Sequence, residues 1–364
     1  MRLFEDQRIV MTLDAGGTNF VFSAIQAGKE IISPIAIRAN ANNLDACLQS
    51  IVDGFRRVQS KLEEKPAAIS FAFPGPADYK SGIIGDLGNL PCFRGGVALG
   101  PMLEDLFKMP VFIGNDGDLF AYGEAAAGLL PEVNMELKKR GIPKQYRNLF
   151  GITLGTGFGA GIVVNDTLCE GDNSAGGEIW LMRNFKNTRT NAEEAVSIRA
   201  VRRVYEEVSG QPAGELTPKD IYEIAMGEKD GDREAALKAF DEMAEAVAES
   251  LCNAITLVDG LIVIGGGLAG AYNLMAPRIV EHMNGEIENI KGEKMSRLES
   301  RVYNLEDEFS RKSFYNFNKV QVKTPFSGRM VDYVPDKRIA IGLSKLGASR
   351  AIALGAYAKA LERL

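Results

Sequence analysis

An α/β protein built as two lobes is what this sequence predicts, on three observations. The chain has 364 residues and is 46% hydrophobic, enough for a large core and long enough for two lobes. Short apolar strands alternate along it with amphipathic helices, the pattern of an α/β fold. One local motif, an apolar strand, a glycine-rich turn and a second apolar strand, occurs twice, as a duplicated fold with two facing loops requires.

The elements follow in order. Ile9 to Leu13 and Phe20 to Ile25 flank the turn in 'DAGGTN', a hairpin signature. Leu44 to Leu62 carries apolar residues at helical spacing, from Leu44 and Leu48 through Ile51, Phe55 and Val58. 'AAISFAFPGP' reads as a strand stopped by Pro-Gly-Pro, 'VALGPMLEDLFKMP' as a helix, and 'VFIGND' as a buried strand ending in a carboxylate. A second lobe then opens with the helix 'DLFAYGEAAAGLL' and a polar surface excursion, 'EVNMELKKRGIPKQYRN'. 'LFGITLGTGFGAGIVVNDTL' repeats the strand–glycines–strand motif, and Arg233 to Val258 is a strongly periodic helix. 'GLIVIGGGLAGAYNLMAPRIVEHM' reads as strand, glycine turn and helix. A charged, less regular surface excursion with its own short elements follows from about 284 to 337, and an Ala-rich helix closes the chain. The expected lobes are 1–117 with 346–364, and 118–345.

Composition excludes several function classes. A net charge of −6 argues against a nucleic-acid partner, which needs a basic face. No window approaches the roughly 18 to 20 uncharged apolar residues of a membrane span. 'MRLFEDQR' has mixed charge and no apolar signal core, so a cytoplasmic protein is expected. Cys47, Cys92, Cys169 and Cys252 are scattered, and His282 is the only histidine. A structural zinc site with the usual Cys/His spacing is therefore not expected, and the cysteines read as small buried thiols.

Three glycine-rich loops compete for phosphate contact. 'GGGLAG' (Gly265 to Gly270) satisfies the GxGxxG pattern between a strand and a helix. It lacks the acidic strand end about 20 residues on that a dinucleotide site uses. A nucleotide against the helix N-terminus stays open. 'GTGFGAG' (Gly155 to Gly161) and 'DAGGTN' each lead into a strand instead. One such loop can be a plain hairpin turn. Two, each with a Thr among the glycines, fit a pair of phosphate cradles, because no Cβ blocks the backbone N–H groups. Asp14, at a strand end, would then serve Mg²⁺ through water.

'LDAGGTN', 'FPGPAD', 'GNDGD', 'LGTGFGAGIVV', 'GGEI' and 'VIGGGLAG' together resemble, in order and rough spacing, the ROK family of bacterial sugar kinases and repressors. The resemblance covers the chain apart from the excursions near 131–148 and 284–337. It implies an actin-like (ribonuclease H-like) two-lobed ATPase fold, with sugar and ATP in an interlobe cleft. It implies further that Asp14, Gly16, Gly17, Thr18 and Asn19 form one phosphate loop, with Asp14 near the metal. Gly155, Thr156 and Gly157 match the second phosphate loop, and Gly265, Gly266 and Gly267 part of the adenosine site. Asn115 and Asp116 match the sugar-binding Asn and the catalytic base, and Asn89 the Asn of the sugar loop. The chemistry agrees, since phosphoryl transfer to an alcohol needs a carboxylate within reach of the hydroxyl. Asp118 is the rival, and Asp116 is preferred because it follows the strand directly. Asp116 also suits a helix N-terminus.

Departures from the pattern bear on substrate. The family's Glu-x-Gly-His is 'EIWL' here, with Trp180 and Leu181 in the Gly-His places. The Cys-rich zinc loop after it is replaced by 'RNFKNTRTNAEEAVSIRAV'. No zinc is expected there. Glu178 keeps its place for sugar hydroxyls, and Glu193, with Glu194 as the close alternative, matches the family's downstream Glu and is expected to face the sugar as well. A solvated helix face is the plain alternative for both, and a core position is the plain alternative for Trp180.

The resulting expectation is an ATP- and Mg²⁺-dependent hexokinase acting on glucose, with N-acetylmannosamine or N-acetylglucosamine kinase as the alternative. A sugar-sensing pseudokinase would have lost Asp116 or the phosphate glycines, which are present. The family's repressors carry a helix-turn-helix ahead of the first phosphate loop. Only thirteen residues precede Asp14 here, too few for one. A homodimer is the family-level expectation.

Overall fold

The computed structural model describes residues 3–364, in two compact units. One comprises Met1–Pro131, Ala160–Gly177 and Ser344–Leu364; the other comprises Glu132–Gly159 and Glu178–Leu343. The boundary expected after residue 117 falls inside a helix that belongs wholly to the first unit.

The first unit opens with β1 (Val10–Ala15) and β2 (Asn19–Gln26), an antiparallel hairpin that sets Asp14 opposite Val21. Two short strands, β3 (Lys29–Glu30) and β4 (Ile35–Arg38), extend it on β2. Helix α1 (Leu44–Gln59) starts at Asn43, whose side chain accepts from the Ala46 N–H; such a cap contributes about 1 kcal/mol. β5 (Ala68–Ala72) lies parallel to β1. A small ribbon of β6 (Ala77–Asp78) and β7 (Ile83–Ile84) follows, then α2 (Leu99–Phe107). β8 (Val111–Gly114) pairs in parallel with β5 and runs into α3 (Asp116–Ala127). The period-2 pattern of the hairpin sends Met11, Leu13, Phe22 and Ala24 into one core with α1. There Phe22 meets Phe55 edge-on at 5.1 Å.

The stretch read as a polar excursion instead forms α4 (Leu129–Lys139), which buries Leu130, Val133 and Leu137. Those three recur at the helical i, i+3, i+7 spacing beneath a charged outer face. β9 (Leu149–Leu154) follows, and β10 (Phe158–Val164) carries the chain into the first unit, where it pairs with β11 (Thr167–Leu168). Helices α5 (Ile198–Ser209), α6 (Pro218–Met226) and α7 (Arg233–Val258) come next. β12 (Leu261–Gly265) and α8 (Tyr272–Met283) follow.

The excursion from 284 to 337 is structured. It holds a ribbon of β13 (Glu286–Glu288) and β14 (Lys294–Ser296), then β15 (Arg301–Asn304) and α9 (Glu308–Phe314). A second ribbon, β16 (Val320–Lys323) and β17 (Met330–Tyr333), ends it. β15 joins the main sheet parallel to β18 (Arg338–Leu343), itself parallel to β12, which is parallel to β9. Phe314 of α9 stacks on Tyr146 at 5.8 Å, and the Tyr146 hydroxyl donates to the Arg338 carbonyl at 2.7 Å.

The last helix, α10 (Ala348–Arg363), packs on α3 within the first unit. The approach is so close that a Cβ on Gly123 would lie 1.9 Å from the Ala351 carbonyl oxygen, and one on Gly355 1.9 Å from that of Leu119. Lys359 is buried there, donating to the Ile113 carbonyl at 2.9 Å and pairing with Glu170 at 2.5 Å. Cys47 and Cys252 are buried as expected, but Cys92 is half-buried and Cys169 exposed. Among the described residues no helix is long and apolar enough to cross a membrane.

Candidate active site

In the first unit the candidate residues gather at the carboxyl ends of parallel strands, where α/β sheets hold their ligands. Asp14, exposed, stands near the end of β1, and Gly16, Gly17 and Thr18 form the exposed turn into Asn19 of β2. Gly16 has no room for a side chain, because a Cβ would lie 2.8 Å from the Asn19 carbonyl oxygen. The Thr18 carbonyl accepts from the Ala39 N–H at 2.9 Å, which pins the turn. The carbonyl oxygen of Asn89, an exposed residue, lies 3.5 Å from where a Gly17 Cβ would stand. The Asn89 loop therefore flanks the glycine turn. Asp14 also lines a cavity of about 490 Å³ with Thr12, Ser23 and Arg350.

Asn115 and Asp116 lie at the end of β8. Asn115 caps α3, its Oδ1 accepting from the Gly117 N–H at 2.8 Å and, more weakly, from that of Asp118 at 3.4 Å. Its Nδ2 points to the Tyr79 hydroxyl at 3.5 Å, and that hydroxyl donates to the Phe73 carbonyl at 2.9 Å. Tyr79 thus orients Asn115, a role that no motif in 'FPGPADYK' signals. Asp116 is exposed in the first turn of α3, one oxygen accepting from Gly117 N–H at 2.9 Å. Asp118 is only 3% exposed. Of the two rivals, only Asp116 presents its carboxylate to solvent.

In the second unit two glycine turns lie side by side. Gly155 to Gly157 follow β9, with Thr156 exposed at the tip and Gly155 N–H donating to the Gly157 carbonyl at 3.1 Å. Gly265 ends β12 opposite Thr153 of β9. Gly266 has φ +89°, and a Cβ there would lie 2.4 Å from the Leu154 carbonyl oxygen, so only glycine fits. Nothing stands within 4 Å of where a Cβ of Gly155 or of Gly267 would be. Both turns offer open backbone.

Glu193 does something the sequence did not suggest. Its Oε2 accepts from the Phe158 N–H at 3.1 Å and lies 2.7 Å from where a Gly157 Cβ would stand. Its Oε1 faces Arg199 at 3.3 Å, and Arg199 also reaches the exposed Glu194 at 3.2 Å. Glu193 braces the glycine loop from behind. Glu178 accepts a short hydrogen bond from Trp180 Nε1. Trp180 is half-buried, and Leu181 is exposed. The Ala192 N–H donates to the Met182 carbonyl at 2.7 Å, which ties the two glutamate-bearing segments together.

A family model described as the ROK family matches residues 10–304. The chain belongs to the ROK family. The crystal structure of glucokinase from Parabacteroides distasonis is 55% identical, with all of both chains covered and a TM-score of 0.91. A glucokinase from Halalkalibacterium halodurans is 27% identical over 298 residues, 74% of this chain and 83% of the relative. An N-acetyl-D-glucosamine kinase from Vibrio cholerae is 23% identical over 74% of this chain and 89% of the relative. A ROK family glucokinase from Streptomyces griseus, solved with glucose and AMPPNP, shares the fold at 17% identity, with a TM-score of 0.58 over 96% of this chain and 98% of the other. The fold of this ROK member is thus the actin-like, two-lobed α/β fold.

Proposed function

We propose that this chain is an ATP-dependent hexose kinase that converts glucose to glucose 6-phosphate. The exposure of Asp116 beside a capping Asn115, against the burial of Asp118, is the observation that carries the reading. The relative named glucokinase at 55% identity supports glucose, while the N-acetylglucosamine kinase at 23% keeps the hexosamines as the alternative.

Asn115 and Asn89 hold sugar hydroxyls, and Asp116 accepts the proton of the acceptor hydroxyl. As that oxygen bonds to the γ-phosphorus, the bond to the departing ADP breaks, so atoms and charge balance. The turns Gly16–Asn19 and Gly155–Gly157 offer N–H groups to the phosphates, and Gly265–Gly267 flank the adenosine. Glu178 takes a sugar hydroxyl, while Glu193 keeps the second phosphate loop in place for the sugar to be reached.

The residues fit Mg²⁺. An exposed carboxylate at a strand end beside open glycine backbone is the donor set of an ion that keeps its waters and shares a phosphate. When bound, that ion neutralises charge on the transferred phosphoryl group. A homodimer belongs to the same reading, and sedimentation velocity measures it.

The test is a coupled ADP-release assay with Mg-ATP across hexoses and N-acetylhexosamines. Turnover on glucose that is lost in Asp116→Asn is expected. Turnover on an N-acetylhexosamine alone would replace the substrate and keep the mechanism. ATP binding without turnover on any sugar would replace the enzyme with a sensor.

A further inference from the structure

Helices α7 and α8 bring together three side chains that the kinase reading does not use. Glu249 and Cys252 are three apart on α7 and share one of its faces. His282, the only histidine of the chain, lies in the last turn of α8. One ligand atom from each of the three lies within 4.8 Å of the other two. Glu249 Oε2 and His282 Nε2 are 3.1 Å apart.

We infer that Glu249, Cys252 and His282 form a binding site for a zinc-type divalent cation, distinct from the Mg-ATP site. The donor set is decisive. A thiolate, an imidazole and a carboxylate together suit Zn²⁺, whereas Mg²⁺ and Ca²⁺ take oxygen alone. Bonds of about 2.0 Å to N and O and 2.3 Å to S place tetrahedral ligand atoms roughly 3.2 to 3.8 Å apart. Glu249 Oε2 and His282 Nε2 already stand near that spacing, 3.1 Å apart, and with all three ligand atoms within 4.8 Å of one another a bound ion has to draw the set closer together. Cys252 is fully buried and forms the floor, while Glu249 and His282, 27% and 25% exposed, leave the mouth open for an ion and a water as fourth ligand.

The surroundings orient the ligands. Arg297 Nη2 donates to Glu249 Oε1 at 3.0 Å and to Asn253 Oδ1 at 2.9 Å, which turns Oε2 toward His282. Outer partners of this kind fix a ligand's direction. The positive charge of Arg297 opposes the cation, and the carboxylate and thiolate together offset it. The ring of Phe185 lies 6.4 Å from that of His282. It belongs to the stretch that replaces the family's zinc loop, which holds no Cys or His of its own here. A bound ion would clamp α7 to α8.

The test uses the full-length chain, freed of metal by a chelator, dialysed and titrated with Co²⁺ under reducing conditions. One equivalent should give a thiolate-to-cobalt absorption in the near ultraviolet with the visible bands of a tetrahedral centre, displaced by Zn²⁺ and untouched by excess Mg²⁺. His282→Gln, a change at the open mouth that leaves the buried floor intact, should weaken Co²⁺ at least tenfold, and Glu249→Gln should act likewise. Circular dichroism checks that both variants fold. The absence of a thiolate band in the folded wild-type protein would overturn the site, as would Co²⁺ affinity unchanged in both variants. Neither result depends on kinase activity.

Discussion

At the scale of single residues the proposed function turns on one carboxylate. Removing a general base costs about 10² to 10⁴ in rate, so Asp116→Asn should lower kcat by that range while leaving Tm near the wild-type value. Its exposure is the reason. Asp118→Asn should do the reverse, because a side chain 3% exposed acts on stability before it acts on substrate; thermal scans beside the ADP assay separate the two. A sugar hydroxyl bound at Glu178 must compete with the Trp180 indole N–H for its carboxylate. Sugar should therefore change the emission of Trp180, the sole tryptophan, and unchanged emission at saturating sugar would remove Glu178 from the site. The position of Asp116, exposed between β8 and α3, was legible in the sequence because a carboxylate following an apolar strand is a local pattern. Glu193 was legible as a residue but not as a brace for Gly157, because its partner Phe158 lies 35 positions away. Tyr79 was invisible for the same reason: its hydroxyl acts on Asn115, 36 positions on.

At the scale of elements, close packing and charge pairing carry the consequences. A Cβ at Gly123 or Gly355 has no space against the facing backbone, and overpacking of this kind costs about 1–3 kcal/mol or more. Gly355→Ala should lower Tm by several degrees and Gly270→Ala, which meets nothing within 4 Å, should leave it in place. The α7–α8 pair adds a pH term. Burial pushes the Glu245 carboxyl up, but hydrogen bonds from Lys186 and Arg278 outweigh it and hold the group below its ordinary 4.5. A depressed carboxyl stabilises the fold above the unfolded value and loses that contribution as pH falls through the folded one. Tm should thus stay level from pH 7 to about 5.5 and drop below about 4.5, less steeply in Glu245→Gln. The helices themselves were readable: Arg233 to Val258 spans its sequence period end to end. The 284–337 stretch was readable only as an excursion with short elements of its own; the place of β15 in the main sheet was not, because it is four residues long and gains its partner β18 over thirty positions later.

At the scale of the whole molecule, the repeated strand–glycines–strand motif announced two units, and each unit does carry one copy of the turn. That residues 160–177 belong to the first unit escaped the sequence, because no composition change marks it. The chain leaves the second unit inside β10, in the middle of a continuous strand. That arrangement makes the kinase reading testable without catalysis. Gly155–Gly157 and Gly265–Gly267 belong to the second unit, while Asp14–Asn19, Asn89 and Asn115–Asp116 belong to the first. If both sets serve one pair of substrates, a nucleotide analogue must slow amide exchange in the glycine turns of both units. Glucose alone must slow it near Asn89 and Asn115 in the first unit and near Glu178 in the second. Ligands that bind only the native state also raise its stability, by about 2.7 kcal/mol at a concentration 100-fold above Kd, which confirms binding in the same samples. Hydrogen exchange read by mass spectrometry, with AMPPNP and glucose added singly and together, resolves these segments. Protection by AMPPNP confined to the second unit, with Asp14–Asn19 exchanging as in the free protein, would leave that loop a hairpin turn and the proposed phosphate contact without a basis.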